Sequence, residues 1–200
     1  MRLARIGVVV AALTVCAGMA HAGAMTYGLG AGLAFPTGDA ANVVKLGWNV
    51  NVYGDYWLKP NYAIGVDIDG SFFGGKDDYV NTLKSAAYPD PSVSFNLTGF
   101  SAHGVLSFPM QGSKMEPWLT AGLGFYPNKF KIKDAGPLLD TDESNTDFGF
   151  HFGGGLDWGV GSGMKAGLDA KYRMVQTSGS STNYFTVGAH LTFAGNGSGK

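Results

Sequence analysis

GMKAGLDAKYRMV, residues 163–175, sets its four charged side chains, Lys165, Asp169, Lys171 and Arg173, at odd positions and Met164, Ala166, Leu168, Ala170, Tyr172 and Met174 at even ones. A period of two is the signature of a β-strand, whose successive side chains point to opposite faces. A helix would align Met164, Leu168 and Tyr172 but bring Lys171 onto the same stripe, and Gly163 and Gly167 disfavour it. The next segment, TNYFTVGAHLTF, decides the matter. It sets Phe185, Val187, Ala189, Leu191 and Phe193 against Tyr184, Thr186, Gly188, His190 and Thr192, a strand pattern rich in β-formers.

The same test, carried backward, predicts strands near 25–35, 46–58, 62–73, 115–126 and 148–160. In each, one face is apolar and the other is mostly Gly, Ser, Thr, Asn and Asp, with Tyr53, Glu116, Trp118 and His151 among them. Residues 100–108 form a less regular strand, because Phe95 and Leu97 fall on the opposite parity from Phe100, Ala102, Leu106 and Phe108. A bulge near Thr98 or Gly99, or a strand end outside a membrane, would restore the register. The connections alternate too. Short links KPN, PMQGSK and GSG follow strands 2, 4 and 6, while PTGDAANVVK, GKDDYVNTLKSAAYPDPS, KIKDAGPLLDTDESNT and the shorter QTSGSS follow strands 1, 3, 5 and 7.

Composition narrows the class further. The chain has 200 residues, 45% hydrophobic, with a formal net charge of -1, so there is no global basic field and no nucleic-acid partner is expected. Arg2 and Arg5, the apolar run IGVVVAALTVCAGMA and AHA at 20–22 read as a signal peptide over residues 1–22, with a mature start near Gly23. Cys16 is the single cysteine and lies in that segment, so the mature chain offers neither a disulfide nor a cysteine metal site. Beyond it no apolar run is long enough for a helical membrane span.

An antiparallel meander with short and long links alternating is the pattern of a membrane barrel, with turns in the periplasm and loops outside. The soluble alternative, a lipocalin-like barrel, turns the apolar face inward. Volume decides against it: an eight-stranded interior is filled by ordinary side chains and would be overfilled by Trp48, Tyr56, Phe72, Phe125, Phe148, Phe150, Phe152, Trp158, Tyr172, Phe185 and Phe193. Tyr56, Tyr62, Phe108, Trp158 and Phe193, close to the short links, suit an interfacial girdle. The expected fold is all-β, an eight-stranded antiparallel up-and-down transmembrane barrel over residues 23–194, followed by a polar tail at 195–200.

GAGLAFPTGD at 30–39, GGGLDWGVGSG at 153–163 and the closing TVGAHLTF at 186–193 resemble the outer-membrane β-barrel domain family that includes OmpX, the OmpA transmembrane domain, opacity proteins and OmpW. The resemblance implies the outer membrane of a Gram-negative bacterium, its lipids and the barrel-assembly machinery as partners, and an assembly signal in Thr186, Gly188, Leu191 and Phe193. It departs from the family in the tail AGNGSGK after Phe193.

The inward face assigns a polar network to the lumen: Asp55, Asp67, Asp69, His103, Glu116, Asp157, Lys165, Asp169, Lys171, Arg173 and His190, with His151 beside them. Internal pairing is expected, because an unpartnered charge in a narrow lumen is costly. Strands 3 and 7 lie opposite, so Asp67 and Asp69 are expected to reach Lys171 or Arg173, and serine at the inward Gly167 to be mild. No catalytic residue, cofactor or metal site is read from the sequence. The histidines lack a His-x-Ser pairing, and the acidic run DTDESNTD at 140–147 lacks the glycine and terminal glutamate of a calcium loop and reads as a solvated loop. The functional expectation is a non-enzymatic surface or envelope protein of structural or adhesive role, whose long loops meet host-surface or envelope partners. The alternatives are a narrow solute channel, as in OmpW, and a lipid-modifying enzyme.

Overall fold

The computed structural model describes residues 24–177 and 180–195; the signal-peptide reading and nearly all of the tail lie outside the described residues. Eight strands, β1 (Met25–Thr37), β2 (Gly47–Lys59), β3 (Tyr62–Gly74), β4 (Ser92–Ser107), β5 (Met115–Lys133), β6 (Thr141–Gly161), β7 (Met164–Thr177) and β8 (Ser180–Ala194), pair antiparallel with their neighbours in chain order. β8 pairs back onto β1 from Thr26↔Ala194 to Thr37↔Asn183, closing the barrel. Closure satisfies the backbone of every strand without an open edge, which is what permits strands to cross lipid. No helix among the described residues is long and apolar enough to do so.

The apolar parity faces outward. Leu119, Phe125 and Leu168 keep 55%, 58% and 55% of their surface exposed while Asp67, Asp69 and Arg173 keep 2%, 1% and 1%, the reverse of a lipocalin-like barrel. Gly163, at φ 76°, turns the chain between β6 and β7, where a side chain would be strained. One girdle row runs through Phe100↔Phe125↔Phe148 at the long-link end. There Phe125 and Phe148 meet edge to face at 5.9 Å, and on β2 and β3 Trp48 stacks on Phe72 at 4.3 Å.

Beyond that row the pattern inverts. Outward positions become polar (Thr98, Asn96, Lys129, Lys131, Thr146), and on β4 and β5 the inward ones include Phe95, Leu97, Tyr126, Phe130 and Ile132, while β6 keeps Glu143, Asn145 and Asp147 inside. Ala34, Val44, Phe73, Leu97, Tyr126, Val175 and Tyr184 form a buried core inside this end of the barrel. Leu97 and Phe95 therefore need no bulge: β4 holds one register against β3 from Leu106 to Ser94, and pairs with β5 in constant register on both sides of Thr98 and Gly99. The wall leaves the lipid here, so burial is gained only inside.

Two of the expected loops are largely strand. β5 and β6 pair out to Ile132↔Thr141, so the acidic run at 140–147 lies mostly in a hairpin whose link is 134–140. Lys129 and Lys131 face Asp142 at 3.0 and 3.6 Å. The hydrogen bond from Lys129 is the main reason the Asp142 carboxyl is held below its ordinary range. QTSGSS is also mostly paired, leaving 178–179 outside the described residues. The long links after β1 and β3 each carry a short helix, α1 (Ala40–Val43) and α2 (Asp77–Leu83). Tyr79, Val80 and Leu83 of α2 pack on Val93, Ile132 and Ala135, closing the long-link end.

Candidate functional site: the barrel lumen

Strand pairing sorts the inward polar residues into rows. One row reads Asp55, Gly65, His103, Gly122, His151, Arg173 and Tyr184 across β2 to β8. The glycines are spacers: a Cβ on Gly122 would sit 2.6 Å from His151 Cε1 and 2.7 Å from His103 Cβ. Gly167 does the same between Asp157 and His190. A side chain there would come within 2.4 Å of His190 Nε2 and 2.5 Å of Asp157 Oδ1, so serine at this position makes the His190–Asp157 pair shift.

Three polar layers follow along the axis. At the barrel's middle, fully buried Arg173 sets Nε 3.4 Å from Asp69 Oδ1 and donates from Nη1 to Thr186 Oγ1 at 2.8 Å. Its guanidinium lies over the Tyr184 ring, 5.6 Å from the centroid. Asn49 donates to Ser71 at 2.9 Å and approaches Asp69 Oδ2 at 3.4 Å. Beside this layer His103 Nε2 meets Asp55 Oδ1 at 2.7 Å, and its Nδ1 lies 3.8 Å from Asp67 Oδ1. Ser101 donates to Asp67 and lies 3.4 Å from His151 Nδ1, with the Tyr126 hydroxyl 3.5 Å from the same nitrogen.

Toward the short links, His190 bridges two carboxylates, Asp157 at 2.8 Å and Asp169 at 3.0 Å. Trp118 Nε1 also donates to Asp157, at 2.8 Å. Lys165 pairs with Glu116, which also accepts from Ser107. Lys171 has the Tyr53 ring beneath its ammonium, 5.9 Å to the centroid. These groups line a cavity of about 520 Å³ that reaches the short links at Lys59, Pro60 and Pro109. All eleven residues of the lumenal network thus face inward. Arg173, and not Lys171, is the one that takes Asp69. β7 supplies Lys165, Asp169 and Arg173 to three of the lumenal pairs.

Of the four residues read as an assembly signal, Thr186 points inward to Arg173, and Gly188 packs its α-carbon against the β1 backbone, where a Cβ would meet Ala31 O at 2.8 Å. Leu191 and Phe193 face outward, each 38% exposed. What the sequence reading lacked is the convergence of Asp67, His103 and His151, whose ligand-type atoms lie within 4.8 Å of one another. They come from β3, β4 and β6, so only the shear of the closed barrel brings them together.

The outer membrane protein beta-barrel domain matches residues 8–193. The chain belongs to the outer membrane protein beta-barrel family. Membership places it in the bacterial outer membrane, and in barrels of this kind the short links are the periplasmic ones. Among solved structures this family member is similar to Neisserial surface protein A, at 15% identity over 86% of this chain and 99% of that one, TM-score 0.62. It is also similar to a major outer membrane protein of Thermus thermophilus (13%, 88% and 100%, TM-score 0.56). A third is Ail, the attachment invasion locus protein of Yersinia pestis, there in complex with the heparin analogue sucrose octasulfate (15%, 86% and 99%, TM-score 0.53). At these identities the likeness is one of fold. No curated protein matches the chain.

Proposed function

We propose that this outer-membrane barrel is a non-enzymatic anchor that presents ordered structure at the cell surface in an adhesive or envelope-structural role. The observation that carries the reading is the packed interior. The periplasmic cavity is lined by His103 and Lys171 but not by Asp69 or Arg173, and beyond that pair Leu97, Phe73, Tyr126 and Tyr184 are between 0% and 4% exposed. A blind lumen favours an anchor over a solute path.

The surface end is built for presentation. A transmembrane β-strand needs about 9 to 11 residues, and β5 and β6 have 19 and 21. Their hairpin carries Leu138, 97% exposed, and Leu139 at its tip. Over 129–143 Lys129, Lys131 and Lys133 are outnumbered by Asp134, Asp140, Asp142 and Glu143, so the hairpin favours an apolar contact over a polyanion. Two fold neighbours are named for a cell-surface place or for attachment, which agrees with this reading. His103, His151 and His190 all point into the lumen, away from lipid acyl chains, which gives a lipid-modifying reading no support.

The test compares attachment to host cells by bacteria carrying the protein, its Leu138→Asp/Leu139→Asp variant, or neither. The variant is expected to reach the membrane at the normal level and lose attachment. Attachment by the wild type equal to that of cells without the protein would overturn the adhesive reading.

A further inference from the structure

The lumenal charges do not balance. The network assigned above has six carboxylates, Asp55, Asp67, Asp69, Glu116, Asp157 and Asp169, against three permanent cations, Lys165, Lys171 and Arg173. His190 answers Asp157 and Asp169 with one ring nitrogen each. His103 has no such symmetry. Its Nε2 is taken by Asp55 at 2.7 Å, while its Nδ1 is buried with no hydrogen-bond partner. Asp67, 2% exposed, spends Oδ1 on Ser101 and leaves Oδ2 likewise unpartnered. Burying such atoms without partners costs free energy, and here they belong to two groups in contact, His103 Nδ1 lying 3.8 Å from Asp67 Oδ1, so the pair requires an explanation.

A ligating histidine ordinarily donates its second ring N–H to a carboxylate, which fixes the tautomer and frees the other nitrogen's lone pair for the metal. Asp55 and His103 have this arrangement, with Nδ1 free and pointing toward Asp67. His151 supplies a second imidazole, its ring centroid 6.1 Å from that of His103. We infer that Asp67, His103 and His151 form a binding site for a divalent transition cation, two imidazoles and one carboxylate being a donor set that zinc accepts.

Ligand atoms within 4.8 Å of one another need draw in by less than 2 Å to reach the separation of roughly 3.3 Å set by metal–ligand bonds of about 2.0 to 2.1 Å. Ser101 Oγ or a water completes the sphere. His103 lies on the wall of the cavity that reaches the short links, which gives a cation a route to the site. Oxygen-seeking cations such as magnesium fit poorly, because two of the three ligands are nitrogens.

The test uses full-length mature protein without an affinity tag, refolded in detergent and titrated with Co²⁺ and then Zn²⁺. The heat-modifiable mobility of each variant on SDS gels confirms folding. The wild type is expected to bind one Co²⁺ with visible d–d bands, displaced by Zn²⁺. His151→Gln and Asp67→Asn should abolish those bands, and Asp55→Asn should weaken affinity about 10- to 100-fold, as loss of an orienting carboxylate does. A folded wild type without Co²⁺ bands, bands that survive His151→Gln, or bands lost on Asp142→Asn at the surface hairpin would each overturn the assignment.

Discussion

Arg173→Met removes the charge at the centre of the lumen while keeping most of the aliphatic stem. Asp69 then loses the cation 3.4 Å from Oδ1, Thr186 loses a charged donor at 2.8 Å, and the Tyr184 ring loses the guanidinium above it. Leaving one partner of a buried pair uncompensated costs about 3 to 5 kcal/mol. Asn49 Nδ2, 3.4 Å from Asp69 Oδ2, still offers one donor, so the lower half of that range is expected. Replacing the pair with apolar residues is a different matter, since buried ion pairs exchanged for packed hydrophobics are often neutral. Arg173→Met/Asp69→Leu should therefore be at least about 2 kcal/mol more stable than Arg173→Met alone. Urea unfolding in lipid vesicles, followed by tryptophan fluorescence, measures both. Additive effects of the two substitutions, or a single-variant loss under about 1 kcal/mol, would refute the view that this pair is dry and mutually dependent.

Three further outcomes follow from the geometry. Leu168→Arg sets a charge against lipid and should cost about 2 to 4 kcal/mol in the same unfolding assay, whereas Lys133→Glu, beyond the lipid, should cost little. Protease added to intact cells should cut within residues 84–91 or 134–140 and spare the links at 60–61 and 162–163, as mass spectrometry of the fragments will show; cuts at the short links under a sealed outer membrane would invert the topology. Because Lys129 lowers the Asp142 carboxyl, the contribution of that contact is complete above the unfolded carboxylate range near pH 3.9 and is lost as pH falls below it. Amide exchange at the outer end of β6 should thus be constant in protection from pH 7 to 5 and weaken only under stronger acid.

The barrel was legible because its lipid-facing wall obeys a strict period of two, as Met164 to Met174 and Phe185 to Phe193 show. That signal weakens where the wall leaves the lipid. Phe95 and Leu97 looked like a slipped register because the rule for inside and outside reverses at Phe100; above it water lies outside and the core within. DTDESNTD looked like a loop for the same reason: Asp142, Ser144 and Thr146 face water, so their strand has no apolar face to show. In the lumen, the identity of the inward residues could be read from parity, but their partners could not. Pairing across the axis depends on shear, which decides that Arg173 meets Asp69 and that His190 meets two carboxylates. The crowding over Gly167 likewise comes from His190 and Asp157 leaning over it, a contact between three strands that no single strand announces.

The central claim is that the lumen is a closed structural interior beneath a presented surface. The most direct measurement is single-protein conductance of the refolded wild type in a planar lipid bilayer. The Arg173–Asp69 layer and the apolar core of Leu97, Phe73, Tyr126 and Tyr184 predict no steady current at moderate voltage. Alanine at both Lys171 and Arg173 should introduce brief openings. A steady, solute-selective current through the unmodified protein, insensitive to those two substitutions, would contradict the account.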